Sequence, residues 1–178
     1  MAKQDPASRL EWLRSVVERY EGPLIRYAMR FTGDVERARD IVQETFLRLC
    51  AEGRQVPQVA EWLFTVCRNR AVDVLRKESR MSSLSQIRSE GFASRDAGPG
   101  ADLERREALS QVLRLLETIP GDQQEVIRLK FQNGFSYREI SGVTGLSVSN
   151  VGFLMHTGLK TLRQRVRAGS GLPPSGTR

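Results

Sequence analysis

The sequence predicts an all-α protein, two small helical domains joined by a flexible linker. Three observations carry that prediction. Apolar residues recur at spacings of three and four through most of the chain, and no stretch keeps the two-residue alternation of a strand. A run rich in Ser, Gly and Arg, residues 79–101, has no sustained period and divides the chain in the middle. With 39% apolar and 7% aromatic residues, 178 residues can fill helical cores but not a large β core.

Before the linker, helical periodicity covers residues 6–20, 22–31, 34–51 and 58–77. In 34–51, Val35, Ala38, Ile41, Val42, Thr45, Phe46 and Leu49 form one apolar face at about 100° per residue. Asp40, Gln43, Glu44 and Leu47 lie opposite. An exposed leucine beside two carboxylates suits a protein partner that presents basic groups around an apolar spot. In 58–77, Leu63, Phe64, Cys67, Ala71 and Val74 point inward, while Thr65, Asn69 and Arg76 share the outer side near Trp62. Arg68, Arg70, Arg76, Lys77 and Arg80 make this segment a basic strip. Asn reads base edges and Arg holds phosphate, so the outer side fits nucleic acid.

After the linker, residues 102–118 are helical, and 120–167 read as three short helices joined by two glycine turns. Ser136 and Glu139 form an S-Y-R-E capping box, each side chain satisfying an orphan backbone N–H. Ile140 and Val143 then give an apolar face, and Gly145 ends that helix. Ser147 can cap the next, where Val148, Val151, Met155, Leu159, Leu162 and Val166 recur at helical spacing. This is a helix-turn-helix, whose second helix would enter a major groove. Its core centre is expected among Met155, Val148 and Leu162. Phe153 points the other way, among Ser149, Asn150, Thr157 and Lys160, with Leu154 at the edge. Phe153 is placed to press on thymine methyls while Asn150 reads adenine and Lys160 holds phosphate. The competing use is a Phe153–Leu154 patch for a protein partner. The tail, 169–178, is expected to be disordered.

Charge points the same way. The chain carries 28 Lys and Arg against 21 Asp and Glu, a net +7 that favours a polyanion partner. Cys50 and Cys67 fall on the inward sides of their helices, as small buried hydrophobes. With His156 the sole histidine and no G-x-x-x-x-G-K-[ST] run, neither a zinc site, a histidine triad nor a P-loop can be assembled. The expectation is no enzyme, no cofactor and no metal. No apolar stretch reaches the roughly 20 residues of a membrane span, and the N-terminus lacks a signal-peptide core, which predicts a cytoplasmic protein.

Three motifs in register resemble a known family. The runs at 40–49 (DIVQETFLRL), 61–80 (EWLFTVCRNRAVDVLRKESR) and 120–167 are similar to regions 2.2, 2.3–2.4 and 4 of bacterial extracytoplasmic-function (ECF) sigma factors, in the sigma-70 family. The resemblance implies a factor that binds core RNA polymerase at its clamp and flap regions and directs promoter recognition, DNA melting and transcription initiation. It implies a region 2 domain over 1–78, the linker over 79–101, a region 4 domain over 102–168 and the tail. Asp40, Gln43 and Glu44, with Leu47, would dock on the clamp helices. Asn69 and Asp73 would lie near the flipped-out non-template strand of the −10 element, with Thr65 and Arg76 beside them. Arg54 and Gln55 belong to the loop at 53–60 that would select a −10 base. The −35 set would be Ser136, Tyr137, Arg138, Ser147, Ser149, Asn150, Phe153, His156, Thr157 and Lys160. An anti-sigma factor is a further candidate partner.

The chain departs from the family pattern twice. Glu36-Arg37-Ala38-Arg39 stands where members are usually acidic, and Gly152-Phe153-Leu154 stands where they usually carry a Lys/Ser/Arg run. The rival reading is a stand-alone helix-turn-helix regulator that does not bind polymerase. It would need no Asp40/Glu44 face and predicts a dimer on palindromic sites.

Overall fold

Seven helices and no strand make up the described part of the chain, residues 6–52, 56–81 and 103–169 of a computed structural model. They fall into two units that divide between Gly91 and Phe92. None of the helices is long and apolar enough to cross a membrane, among the described residues.

The first unit packs α1 (Pro6–Thr32), α2 (Val35–Ala51) and α3 (Val59–Met81) against one another. Its core holds Leu24, Tyr27 and Ala28 of α1, Ile41, Val42 and Leu49 of α2, and Leu63, Phe64, Cys67 and Ala71 of α3. Tyr27 and Phe64 meet with ring centroids 5.1 Å apart. Two helices, 6–20 and 22–31, are expected where α1 is one, and Pro23 lies inside it. Proline costs the helix a single backbone bond. Leu24, Tyr27 and Ala28, buried directly after it, hold the helix together through that gap. Asp34 caps α2, its Oδ1 accepting the Arg37 N–H at 2.8 Å. α3 continues to Met81 and so takes in the first residues assigned to the linker. The rest of that linker, up to 101, lies outside the described residues, as does the tail after 169.

The second unit is built from α4 (Leu103–Leu116), α5 (Gly121–Phe131), α6 (Tyr137–Thr144) and α7 (Val148–Gly169). α7 packs on the other three. Val126, Ile127, Leu129, Phe135, Ile140, Val143, Val151 and Met155 are buried between them. Where α7 crosses α5 the residue is Gly158, and a Cβ there would sit 2.8 Å from Ile127 Cδ1 and 3.2 Å from Gln123 Cβ. A side chain there would have to displace the end of Ile127 and press on Gln123. The core centre of α7 is therefore Val151, Met155 and Gly158. Val148, expected inside, is 48% exposed because it opens the helix before α5 and α6 begin to cover it. Val166 is 43% exposed near the other end.

Candidate functional site

On the outer side of α2, Asp40, Gln43 and Leu47 lie one turn apart on one strip, all exposed. Leu47 keeps 62% of its surface open. Glu44, expected with them, is half-buried and engaged. It accepts Arg48 Nη2 at 2.8 Å, and its other oxygen stands 2.5 Å from Arg70 Nε of α3, an ion-pair contact without hydrogen-bond alignment. This breaks the basic strip expected along α3, since Arg70 turns to α2 while Arg76 and Lys77 stay exposed. The Arg80 side chain lies outside the described residues.

Beside the strip, Val17, Ile25, Val42, Phe46, Leu47 and Cys50 line an open groove of about 350 Å³ between α1 and α2, with Glu21, Arg39 and Gln43 around it. Cys50 is thus exposed, not buried as expected. It follows Leu49 by roughly 100° on the helix, which carries it past the edge of the core. Cys67 is buried as expected, and burial pushes its thiol up to about 12 against the pull of a Thr45 hydrogen bond. Such a thiol is not a nucleophile at neutral pH. Of the two arginines in the Glu36–Arg39 run, Arg39 is locally neutralised, its Nη1 lying 2.7 Å from Glu36.

Along α3, Trp62, Thr65, Asn69, Asp73 and Arg76 share a strip roughly 80° wide. Asn69, Asp73 and Arg76 are exposed, and Arg76 lies 3.9 Å from Asp73. Thr65 donates its hydroxyl to the Glu61 carbonyl at 2.7 Å and so can only accept from a ligand. Trp62 is half-buried on the same strip, a candidate that its 62–65–69 spacing could have revealed. Arg54 and Gln55 lie outside the described residues. The loop that holds them leads into Gln58, whose φ of 52° lies in the left-handed region. For a residue with a Cβ that costs about 1–2 kcal/mol.

The helix-turn-helix assembles as its residues predict. Ser136 Oγ accepts the Glu139 N–H at 3.3 Å while Glu139 accepts the Ser136 N–H at 2.7 Å. Hydrogen bonds to its carboxylate, from the Ser136 side chain first and the Ser136 backbone N–H second, hold Glu139 below its ordinary range, with a smaller pull from Lys130. Gly145 ends α6 at φ 75°, a left-handed position that glycine occupies without steric cost. Ser141 Oγ donates to the Leu146 carbonyl at 2.6 Å, and the Leu146 N–H donates to Thr144 Oγ1 at 3.3 Å. Ser147 caps α7 by accepting the Asn150 N–H at 3.2 Å.

The outward side of α7 carries Ser149, Asn150, Phe153, His156 and Lys160, all exposed, with Thr157 half-buried. Phe153 is 65% exposed, as the wheel predicts. Ser136, Tyr137, Arg138 and Ser147 are exposed as well. The hydroxyl oxygens of Ser136 and Ser147 serve as caps; the Ser136 O–H is turned to the Glu139 carboxylate, while Ser147 keeps an O–H to donate to a phosphate. Tyr137 lies against α7 at Gly152, where a Cβ would be 3.8 Å from its ring, and Lys130 Nζ stands 5.8 Å from the ring centre. Among the described residues no group of three or more His, Cys, Asp or Glu converges as a metal site would require.

Comparison with known proteins agrees with this geometry. Residues 16–81 match sigma-70 region 2, and residues 109–162 match sigma-70, region 4. The ECF RNA polymerase sigma factor SigL of Mycobacterium tuberculosis is 28% identical over 163 residues, spanning 88% of this chain and 90% of that protein. The ECF RNA polymerase sigma factor EcfG of Rhodopseudomonas palustris is 30% identical over 131 residues, 70% of this chain and 68% of that one. Among solved structures, the sigma factor RpoE of Bartonella quintana, crystallised with the anti-sigma factor NepR, shares the fold. Its TM-score is 0.68 at 22% identity, over 86% of this chain and 96% of that one.

Proposed function

The chain belongs to the ECF RNA polymerase sigma factors of the sigma-70 family, and on that premise we propose how its two units divide the work. It is an alternative sigma factor that binds core RNA polymerase and promoter DNA and directs transcription initiation. Residues 1–78 take the polymerase clamp and the −10 element, and residues 102–168 take the −35 element, with 79–101 as their connection. Asp40, Gln43 and Leu47 form the docking strip, with Glu44 behind it as a brace to α3. Asn69, with Trp62, Asp73 and Arg76 on the same strip, holds unstacked −10 bases, and Arg54 and Gln55 select among them.

The second unit reads duplex. Phe153 presses on thymine methyls, Asn150 reads adenine, and Ser149, His156, Thr157 and Lys160 complete the contact along α7. Ser136, Tyr137, Arg138 and Ser147 hold phosphates at the near edge. The factor carries out no covalent chemistry of its own and uses no cofactor; binding energy for single-stranded bases drives melting. It acts in the cytoplasm, where polymerase is. The Bartonella quintana protein was crystallised in complex with an anti-sigma factor, and we assign a partner of that kind to this chain.

One observation carries this reading: two sigma-70 regions, in order, on separate units of one chain. The region 2 match leaves the stand-alone regulator without support. The test is run-off transcription with purified core polymerase over a promoter library. A discrete −10/−35 consensus is expected, and transcription no higher than that of core alone would overturn the assignment.

A further inference from the structure

The outward row of α7 does not stop at Lys160. At about 100° per residue, Ser149, Phe153, His156, Lys160, Arg163 and Arg167 fall within roughly 80° of one another. All six are exposed. The row changes character halfway: the first half is small, polar or aromatic, and the second half is cationic. At 1.5 Å per residue it is about 27 Å long. A major groove is only about 12 Å wide, so a helix whose first turns reach base edges must carry its later turns out over the groove's rim. The rim is lined with phosphate.

The ordinary explanation of exposed arginines is a solvated face balanced by carboxylates three or four residues away. Helices α2 and α3 follow it: Arg39 pairs with Glu36, Arg48 with Glu44 and Arg76 with Asp73. α7 contains neither Asp nor Glu in its 22 residues. Lys160, Arg163 and Arg167 make no ion pair among the described residues, so their charge is uncompensated on the side that faces away from the core.

We propose that Arg163 and Arg167, in line with Lys160, bind the DNA backbone beside the −35 element, extending the interface past the base-reading half of α7. The proposal rests on the reading of α7 as the −35 helix. Its occupant is duplex DNA, because a row of unpaired cations continuing a base-reading surface complements a continuous line of phosphates. The contacts add affinity without sequence preference. Arg165 supplies the control. It is exposed and equally charged but lies about 140° around the helix from Lys160.

The test measures promoter binding by core polymerase carrying the full-length chain, from 50 to 200 mM salt, on DNA with the selected or a scrambled −35 element. Arg163→Ala with Arg167→Ala is expected to lower the slope of log K against log salt by about 2 and to weaken both DNAs by the same factor. Lysine at both positions is expected to restore the slope, and Arg165→Ala to leave it unchanged. Alanine favours helix, so the variants keep α7. An unchanged slope in the double variant overturns the proposal. So does an equal change from Arg165→Ala, which would mean net charge alone, or a loss confined to affinity for core polymerase, which would mean a protein partner. Phe153→Ala separates the two levels: retained preference for the −35 element in that variant overturns α7 as the reader itself.

Discussion

The carboxylate of Glu44 on α2 stands 2.5 Å from the Arg70 Nε on α3, each side chain about one-third exposed, at 35% and 32%. The two acids that look equivalent on the helical wheel therefore do different work. Asp40 faces outward, and Glu44 braces two helices.

That difference is measurable. Asp40→Lys is expected to leave the melting temperature unchanged and to weaken binding to core polymerase by about tenfold, or 1.4 kcal/mol. Glu44→Lys sets an ammonium beside Arg70 and is expected to cost about 1 kcal/mol of stability. Thermal melts beside holoenzyme titrations distinguish them. Equal melting losses from both variants would mean that Asp40 is structural.

A second expectation concerns melting of the promoter. Asn69→Ala should impair open-complex formation more than closed-complex binding, read by permanganate reactivity of the bubble. Gln58→Gly should raise stability by about 1 kcal/mol by relieving the left-handed strain. It should also loosen the loop and blur −10 preference. A bubble unaltered by both changes would place the single-strand site elsewhere.

Gly158→Ala tests the α5–α7 crossing. The added methyl gains up to about 1 kcal/mol of helix propensity but meets Ile127 Cδ1 at 2.8 Å, inside a core where overpacking costs roughly 1–3 kcal/mol. A net loss near 1 kcal/mol is expected in urea titrations. Ile127→Val removes the nearer clashing carbon and leaves Gln123 Cβ at 3.2 Å, so adding it should reduce the loss from Gly158→Ala. Additive losses would show that the two residues do not share the contact.

The capping box predicts a pH dependence. Bonds from Ser136 hold the folded Glu139 carboxyl below its ordinary range, so the charged form stabilises the fold. Its contribution is complete above the unfolded value of about 4.3 and is lost as pH falls through the folded value. The second unit should therefore lose stability more steeply below about pH 4.3 than it does in Glu139→Gln. Ser136→Ala should cost about 1 kcal/mol at neutral pH. Parallel acid titration curves for Glu139→Gln and the parent chain would refute the assignment.

Most of the helices, the capping box and the outward Phe153 were legible from spacing, because each depends on residues a few positions apart. What spacing could not give was whatever depends on a second helix. Glu44 and Arg70 are far apart in sequence, so their pairing is visible only once α2 and α3 are packed. Cys50 and Val148 sit at helix edges, where burial depends on where the neighbouring helix ends. The division of α1 between residues 20 and 22 failed for the opposite reason: a local reading was overruled by burial of Leu24 and Ala28.

The turn between α6 and α7 is closed by Ser141, Thr144, Gly145 and Ser147, each bonded to backbone within a few residues of itself. None of those bonds uses the side chain of an outward residue of α7; Asn150 enters only through its backbone N–H. The crossing of the two helices is thus inherited separately from the letters that face DNA. A lineage can exchange those letters one at a time, each intermediate still folding, and so acquire a new set of target genes without passing through a misfolded ancestor.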